Sequence, residues 1–456
     1  MFLINWVSSN QSRINLLQVL LLAFLFFQVP IGAHAQQPKV LTLNEAIQIA
    51  KVNNRTIQKS HILKKISETG IKEAKNLRLP EIGFNAMYSR LSDVTLWEGG
   101  GFTKQIVVAP EPGNTIYDAV TKFDMPLYEG GKIKNEIKKS HQENEIAELH
   151  VEKTENDVQL EVTATFLGIY KMMELQKIIE ESIKEEEERL KEVKAFKSHG
   201  IVTKNEVLRA ELQLSDRELS SLTNKKNIRI ALQDLKTLLQ LPEEEDIRID
   251  STSLIDMIPV MKQYDFYFKE TMQNEEMRIA SREIDVKKTE LKMVKANALP
   301  RLAFFGNYNL RYPMYLTFSL DMPFMYTIGQ VGIEASYDIS NLYKNRAKVQ
   351  LANLKVELQK NESEIVKNEM NDKVFRNHTQ YQEILDKLKV TDKALVLAQE
   401  NYRIVKAKYL NQLVLITEMV DADNALLQAK FNKISMKIDG AMKQYELLHT
   451  AGILNK

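Results

Sequence analysis

Glu418 and Asp421 lie three residues apart in a stretch of helical pattern, and at that spacing their carboxylates share one face. On sequence alone both read as ordinary solvated helix charges in a chain with 61 acidic residues. Little else points to chemistry. Cysteine is absent, which excludes disulfides, thiolate metal sites, Cys nucleophiles and a lipid-bearing N-terminal Cys. The seven histidines are scattered and form no HExxH pattern, and no GxSxG or Walker A sequence occurs. Met314, Met322 and Met325 would suit a soft metal, but without Cys or clustered His they read as loop or strand packing. No catalytic residue, metal or cofactor is expected.

The elements that must position the two carboxylates carry more information. The chain has 456 residues, 27% charged and 44% apolar, with a formal net charge of +1. That balance, with no Lys/Arg block, gives no support for a nucleic-acid partner. Residues 1–35 read as a secretory leader: Arg13 precedes an apolar run from Leu16 to Phe27, and Ala33-His34-Ala35 offers a small-x-small cleavage signal before Gln36. An uncleaved anchor is the alternative, although the run is short for a membrane-spanning helix. No other segment approaches 18 consecutive apolar residues, so a membrane-embedded mature chain would be there as strands.

One unit occurs twice, about 220 residues apart. AKNLRLPEIGFNAMYS from Ala74 recurs as VKANALPRLAFFGNYN from Val294: a charged helical pattern runs into Leu79-Pro80 and Leu299-Pro300, and alternation follows. Residues 41–79 read as helix, with Thr42 or Asn44 as N-cap, ended by Pro80. A strand to about Leu91, a Gly/Pro-rich loop through Gly113 and a second strand with Tyr117, Ala119, Phe123, Met125 and Leu127 on one face come next. Helix is expected from Gly131 to His199, about 100 Å at 1.5 Å per residue, and again over Thr203–Gln240, with the tip of this hairpin near Gly200. Leu208, Leu212, Leu219 and Leu222 sit there at heptad-like spacing.

The second half repeats the plan, its fourth strand placing Val331, Ile333, Ala335, Tyr337 and Ile339 on one face. Ile384, Leu388, Thr391, Leu395, Ala398, Tyr402, Val405 and Tyr409 then form a 4-3-4-3-4-3-4 seam, with a second tip near Asn411-Gln412. The division expected is 36–242 for the first repeat and 243–456 for the second. Four strands make a thin sheet with two exposed edges, each strand pair apolar on one side and charged on the other. Closing those edges without further sequence requires several copies, and three would make a twelve-stranded barrel, lipid-facing outside and polar inside.

Over essentially all of the mature sequence the chain resembles the TolC family of outer-membrane efflux proteins. The resemblance rests on the twofold helix–strand–strand–helix repeat, the two Leu-Pro joints and the strand exit Pro126-Leu127-Tyr128-Glu129-Gly130-Gly131. It rests also on the hairpin tips Gly200-Ile201-Val202-Thr203-Lys204-Asn205-Glu206-Val207-Leu208-Arg209-Ala210 and Thr417-Glu418-Met419-Val420-Asp421-Ala422. It implies a mainly α fold with a small β part: long antiparallel hairpins forming an α-barrel across the periplasm, continuous with a trimeric 12-stranded β-barrel in outer-membrane lipid. Such a homotrimer is a duct, fed by an inner-membrane transporter and a periplasmic adaptor (membrane fusion) protein of an efflux or type I secretion system.

The resemblance also suggests roles for single residues. Glu418 and Asp421 match the acidic positions that constrict the periplasmic end. Tyr409 matches a gating tyrosine and Glu206 its acidic partner, but Val414 stands where a basic residue is expected and Gln412 where a glycine is usual. The tips Gly200, Ile201, Val202, Thr203 and Gln412, Leu413, Val414, Leu415 are candidates for adaptor docking, or else pack against each other. Tyr88, Trp97, Tyr308 and Tyr312 are candidates for interfacial girdles, or else cap loops. A soluble periplasmic coiled-coil adaptor or scaffold is the rival reading; an envelope enzyme with a helical appendage is another, without an identifiable site.

Overall fold

A computed structural model describes residues 39–98, 101, 104–108, 114–250, 261–312 and 324–454. The expected leader, the Gly/Pro stretches at Gly99-Gly100 and Pro110–Gly113, and Pro313, Met314, Met322 and Pro323 lie outside the described residues. In chain order the elements are β1 (Lys39–Leu41), α1 (Leu43–Asn53), α2 (Arg55–Asn76), β2 (Glu81–Arg90), β3 (Val94–Trp97), β4 (Gln105–Val108) and β5 (Thr115–Glu129). They continue with α3 (Lys132–Ser198), α4 (Lys204–Leu239), β6 (Ile247–Ile249), α5 (Tyr264–Thr271) and α6 (Glu275–Ala296). β7 (Arg301–Tyr312), β8 (Tyr326–Ser336), α7 (Asn341–Leu410) and α8 (Ile416–Thr450) complete the chain. The fold is mainly helical, with one four-stranded sheet at one end and two hairpin tips at the other.

The expected single helix over 41–79 is two. Thr42 caps α1 in a reciprocal capping box with Glu45, whose carboxylate accepts the Thr42 N–H at 2.9 Å. Asn54 then breaks the helix and caps α2, its side-chain oxygen accepting from Thr56 N–H at 2.8 Å and Ile57 N–H at 3.3 Å. Its amide donates to the Leu238 carbonyl at the end of α4, 3.0 Å away. Asn274 does the same in the second repeat. It accepts from Glu276 N–H at 2.8 Å and donates to the carbonyls of His449 and Thr450 at the end of α8. Each buried asparagine thus fastens the close of a hairpin to the start of the helix that climbs towards the sheet. A further lace joins the repeats: β6 pairs in parallel with β1.

Around these clips lies the main core, midway along α3, where Val158, Val162, Phe166 and Ile169 meet Leu41, Ala46, Ile57, Leu235, Leu239 and Ile247. A compact core of this kind was not expected from the heptads. It forms because α1 and the β1–β6 pair cover the bundle where two hairpins alone would leave it open.

Both Leu-Pro joints end their helices in the same way, with Leu79 N–H on the Asn76 carbonyl (2.8 Å) and Leu299 N–H on that of Ala296 (3.0 Å). The sheet beyond has the order β2-β5-β7-β8, all antiparallel, so β2 and β8 are edges. Register builds continuous rows on one face: Ile82–Phe123–Gly306–Val331, Phe84–Thr121–Tyr308–Gly329 and Ala86–Ala119–Leu310–Thr327. The opposite face holds the charges, with Arg301 bridging Asp124 (2.6 Å) and Glu129 (3.1 Å) and Arg311 bridging Asp118 (3.3 Å).

Three strand expectations need correction. A bulge between Pro126 and Tyr128 shifts the parity, so Tyr128 and not Leu127 pairs with Leu302 on the apolar side. The fourth strand closes at Ser336, because Tyr337 and Ile339 already belong to the turn in which Asp338 side-chain oxygen accepts from the Ser340 N–H. The residues between β2 and β5 are not all loop, since β3 and β4 form a hairpin of their own.

Of the four aromatics considered for a girdle, Tyr88 and Tyr312 stand in one row with Tyr117 between them, ring centroids 5.3 and 5.6 Å apart. Tyr308 lies four residues lower, with its ring over Gly329, and Trp97 is on β3. From Tyr312 to Leu302 the strand runs about 33 Å, which at a tilt near 45° is roughly the 25 Å of an apolar membrane band.

Two outcomes follow for denaturation measurements. Gly130 has φ +61, and a Cβ there would stand 2.7 Å from the Ala296 carbonyl oxygen and 2.8 Å from Leu299 Cβ; Gly130→Ala is expected to cost roughly 2 kcal/mol or more. Asn274→Ala loses a cap and two donors and is expected to cost about 2 kcal/mol, against little change for the exposed Asn227→Ala.

Candidate functional site at the hairpin tips

The two tips are the same backbone turn built from different residues. At the first, His199 ends α3, Gly200 turns left-handed (φ +74), Gly200 N–H meets the Lys197 carbonyl at 3.0 Å and Ile201 N–H that of Phe196 at 2.9 Å. At the second, Gln412 adopts φ 61, its N–H meets the Tyr409 carbonyl at 2.9 Å and Leu413 N–H meets that of Lys408 at 2.9 Å. The missing glycine therefore does not change the turn; a glutamine is held in the left-handed region instead. Departing helices differ too. Thr203 starts α4 with Glu206 accepting its N–H at 2.9 Å, whereas Leu415, at the matching place before α8, has no side-chain cap.

Between the tips lies a small apolar core of Val193, Val207, Ala210, Tyr409, Ile416 and Met419. Val202 and Val414 pack on it, while Ile201, Leu413 and Leu415 stay exposed, Leu413 at 74%. The two readings of the tip aliphatics are thus divided among residues: the valines turn inward, their neighbours outward.

Tyr409 is buried, and its hydroxyl has no hydrogen-bond partner among the described residues. Burial, then the nearby Glu206 charge, raise its phenol above the usual range. Glu206 is near enough to be felt, and its carboxylate accepts the Thr203 N–H of the cap; no Tyr409–Glu206 hydrogen bond forms among the described residues of the chain. Glu418 and Asp421 both lie on the exposed face of α8, and neither joins an ion pair among the described residues.

Sequence reasoning missed a charge cluster deeper in the bundle. Glu186 and Arg189 of α3, Arg217 of α4, Asp423 of α8 and Tyr402 of α7 converge there, so each of the four hairpin helices contributes. Arg189 contacts Glu186 at 2.7 Å and Asp423 at 3.4 Å; Arg217 reaches Asp423 at 3.5 Å and also donates to Asn424. Glu186 is fully buried, and Arg189 and Asp423 nearly so. Burial, eased by Arg189 and reinforced by Asp423, pushes the Glu186 carboxyl up to about 7, and burial foremost pushes the Tyr402 phenol to about 12. The signal was present: Asp423 falls in line with Ile416, Met419 and Leu426, and Glu186 and Arg189 with Ile179, Ser182 and Val193, all at seam spacing. A charge at a seam position is the mark of a buried polar contact.

The second tip carries two departures from ideal turn chemistry, and removing either is expected to tighten it. Gln412→Gly and Leu415→Ser should each stabilise the chain by about 1 kcal/mol, read as slower amide hydrogen exchange in the first turn of α8.

The family model described as "Outer membrane efflux protein" matches residues 46–240. No curated protein sequence matches significantly. Among solved structures, VceC of Vibrio cholerae aligns with TM-score 0.72 at 13% identity, covering 90% of this chain and 96% of its own. CmeC of Campylobacter jejuni aligns with TM-score 0.72 at 15% identity, covering 90% and 86%. The open state of MtrE of Neisseria gonorrhoeae aligns with TM-score 0.72 at 16% identity, covering 90% and 89%. Residues 46–240 thus match the outer membrane efflux protein family, and over nearly all of its length the chain has the fold of these solved outer-membrane proteins.

Proposed function

We propose that the chain is the outer-membrane duct of a tripartite efflux or type I secretion assembly, working as a homotrimer and passing substrate without catalysis. One observation carries this reading. The sheet presents a continuous apolar face and two unpaired edges, β2 and β8, at the end of a helical body whose apolar stripes are left uncovered. Three copies joined β8 to β2 would close a twelve-stranded barrel with Arg301, Arg311, Lys122 and their acidic partners on its inner wall. On the helices, Leu208, Leu212, Leu219 and Leu222 of α4 face outward, and so do Val390, Leu397 and Ile404 of α7, seven residues apart. Both stripes begin within two turns of the tips, so α4 of one copy and α7 of the next can form the seams of an α-barrel.

In such a trimer Glu418 and Asp421 supply six carboxylates to the periplasmic aperture. Exposed Ile201, Leu413 and Leu415 at the tips, with the groove of about 520 Å³ that Lys194, Lys197, Lys204 and Val207 line on the first hairpin, are the docking surface for the adaptor that links the duct to an inner-membrane transporter. The two repeats, 36–242 and 243–456, are the duplicated unit, with β6 reaching back to lace the second to the first. The soluble-scaffold reading is less well supported, because among the described residues nothing covers the apolar side of the sheet. Among the described residues no helix is long and apolar enough to cross a membrane, so the barrel would be the membrane element.

Conductance across a planar bilayer tests the duct and its aperture together. The purified protein is expected to form small cation-selective channels, and Glu418→Ala/Asp421→Ala to raise conductance and weaken selectivity. Channels indifferent to that pair would remove the aperture role, and a well-folded preparation forming none would refute the duct. Leu219→Asp/Leu222→Asp is expected to shift the detergent-extracted protein from trimer to monomer in size-exclusion with light scattering.

A further inference from the structure

We propose that a recess at the first Leu-Pro joint, on the charged side of the sheet, is a binding site for amphiphilic organic amines. The proposal rests on the duct reading for its consequence, whereas the recess itself lies within a single chain.

The duplication supplies an internal control. Both joints follow one backbone course: Leu77 ends α2 with φ −58 and ψ −12, and Asn297 ends α6 with φ −62 and ψ −16. The helices that start beside them, α3 and α7, begin at Lys132 and Asn341, so Lys132 matches Asn341 and Glu136 matches Asn345. In the second repeat those two asparagines bridge the space between the helices. Asn341 donates to the Asn297 carbonyl at 3.1 Å, and Asn345 to the Val294 carbonyl at 2.8 Å. The first repeat has neither bridge. Among the described residues the matching carbonyls of Leu77 and Ala74 receive no side-chain donor, and Glu136 turns to Lys139 instead, 3.1 Å away. A cavity of about 620 Å³ stands there, a volume that suits a drug-sized ligand.

Its lining sets the ligand's chemistry. Leu77, Leu79 and Ile133 give apolar surface, while Pro80 and Pro126 have no N–H to donate. Four carboxylates, of Glu81, Asp124, Glu129 and Glu136, stand against the two cations Arg301 and Lys132. Arg301 is already engaged by Asp124 and Glu129. Glu81 joins no ion pair among the described residues, and exposed Lys132 leaves the lining negative on balance. The second joint differs at these very positions, with Asn297 for Leu77 and Arg301 for Glu81. A ligand with an ammonium group and an apolar body meets both demands, giving N–H donors to Glu81 and hydrocarbon to the leucines.

Position connects the recess to the duct. Glu81, Asp124 and Arg301 share the charged face of the sheet, and the cavity lies on the β5 side of β2, away from that strand's free edge. A closed barrel turns this face to the lumen. Three such recesses would ring the neck where strands become helices, on the path of the substrate.

The test measures binding of naphthylmethylamine to the detergent-solubilised full chain at pH 7 by titration calorimetry, with naphthylmethanol as the neutral isostere and naphthylacetate as the anion. The unmodified protein is expected to bind the amine about tenfold tighter than the alcohol, and the anion weakest of the three. Glu81→Gln should bind amine and alcohol alike. Lys132→Asn/Glu136→Asn installs the bridges of the second repeat and should bind neither, with circular dichroism as the folding control. Glu334→Gln removes a carboxylate from the same face outside the recess and should change nothing. Equal affinity for amine and alcohol in the unmodified protein, undiminished binding in the folded bridged variant, or a loss in Glu334→Gln as large as in Glu81→Gln would each overturn the site. Planar-bilayer recording separates the site from the duct. Amine that interrupts the current of unmodified channels but not of the bridged variant supports both. Selective amine binding by a protein that forms no channels would keep the recess and remove the duct; channels from a protein that binds no amine would keep the duct and remove the recess.

Discussion

Unpaired backbone sets the main constraint on this molecule. Four antiparallel strands satisfy one another inside the sheet, but the outer sides of β2 and β8 present rows of N–H and C=O groups with no strand partner among the described residues. In water such edges invite aggregation, and in lipid each unpaired group costs several kcal/mol. The apolar rows from Ile82 to Val331 and from Phe84 to Gly329 add a second demand, because a face of that kind must meet lipid or other protein. Both demands are met together when copies of the sheet close on themselves.

Everything below the sheet follows the strands. Twofold duplication gives each protomer two equivalent strand pairs, and each pair needs its own ascending and descending helices. Gly130 lets the β5 exit pass against the Leu299 joint of the other repeat, so the halves are registered where strand becomes helix. Farther down, Asn54 and Asn274 return the ends of α4 and α8 to the starts of α2 and α6. Those two side chains, with the β1–β6 lace and the core around Phe166, fix the waist. The long hairpins beyond it meet mainly along α3 and α8, with α4 and α7 joining in near the tips.

Rigidity is therefore unevenly distributed. Local openings cost least where apolar contact is sparse and polar groups are half satisfied. The first tip is well made, with glycine at its left-handed position and a reciprocal cap at Thr203. The second puts Gln412 in the left-handed region and starts α8 at Leu415 without a cap. The second tip is therefore the less tightly made of the two.

The sequence by itself determined the long helices, the four strands of the main sheet and the joints and tips between them. Pro80, Pro300, Gly131, Gly200 and the 4-3 spacing from Ile384 to Tyr409 act through local geometry, and the structure turns every member of that seam inward. The apolar alternation of the strands was legible for the same reason. The Asn54 and Asn274 clips, the waist core and the Pro126–Tyr128 bulge were not, because each depends on a partner far along the chain. The tertiary structure alone decided that Leu208, Leu212, Leu219 and Leu222 of α4 face away from α3, and that between the two apolar cores the α3–α4 contact is polar, joining Ser221 and Asn224 to Gln176. It alone brought Glu186, Arg189, Arg217 and Asp423 together. Periodicity is a property of one helix, whereas which of its stripes a neighbour buries, and which charges share that burial, depends on how several helices pack at once.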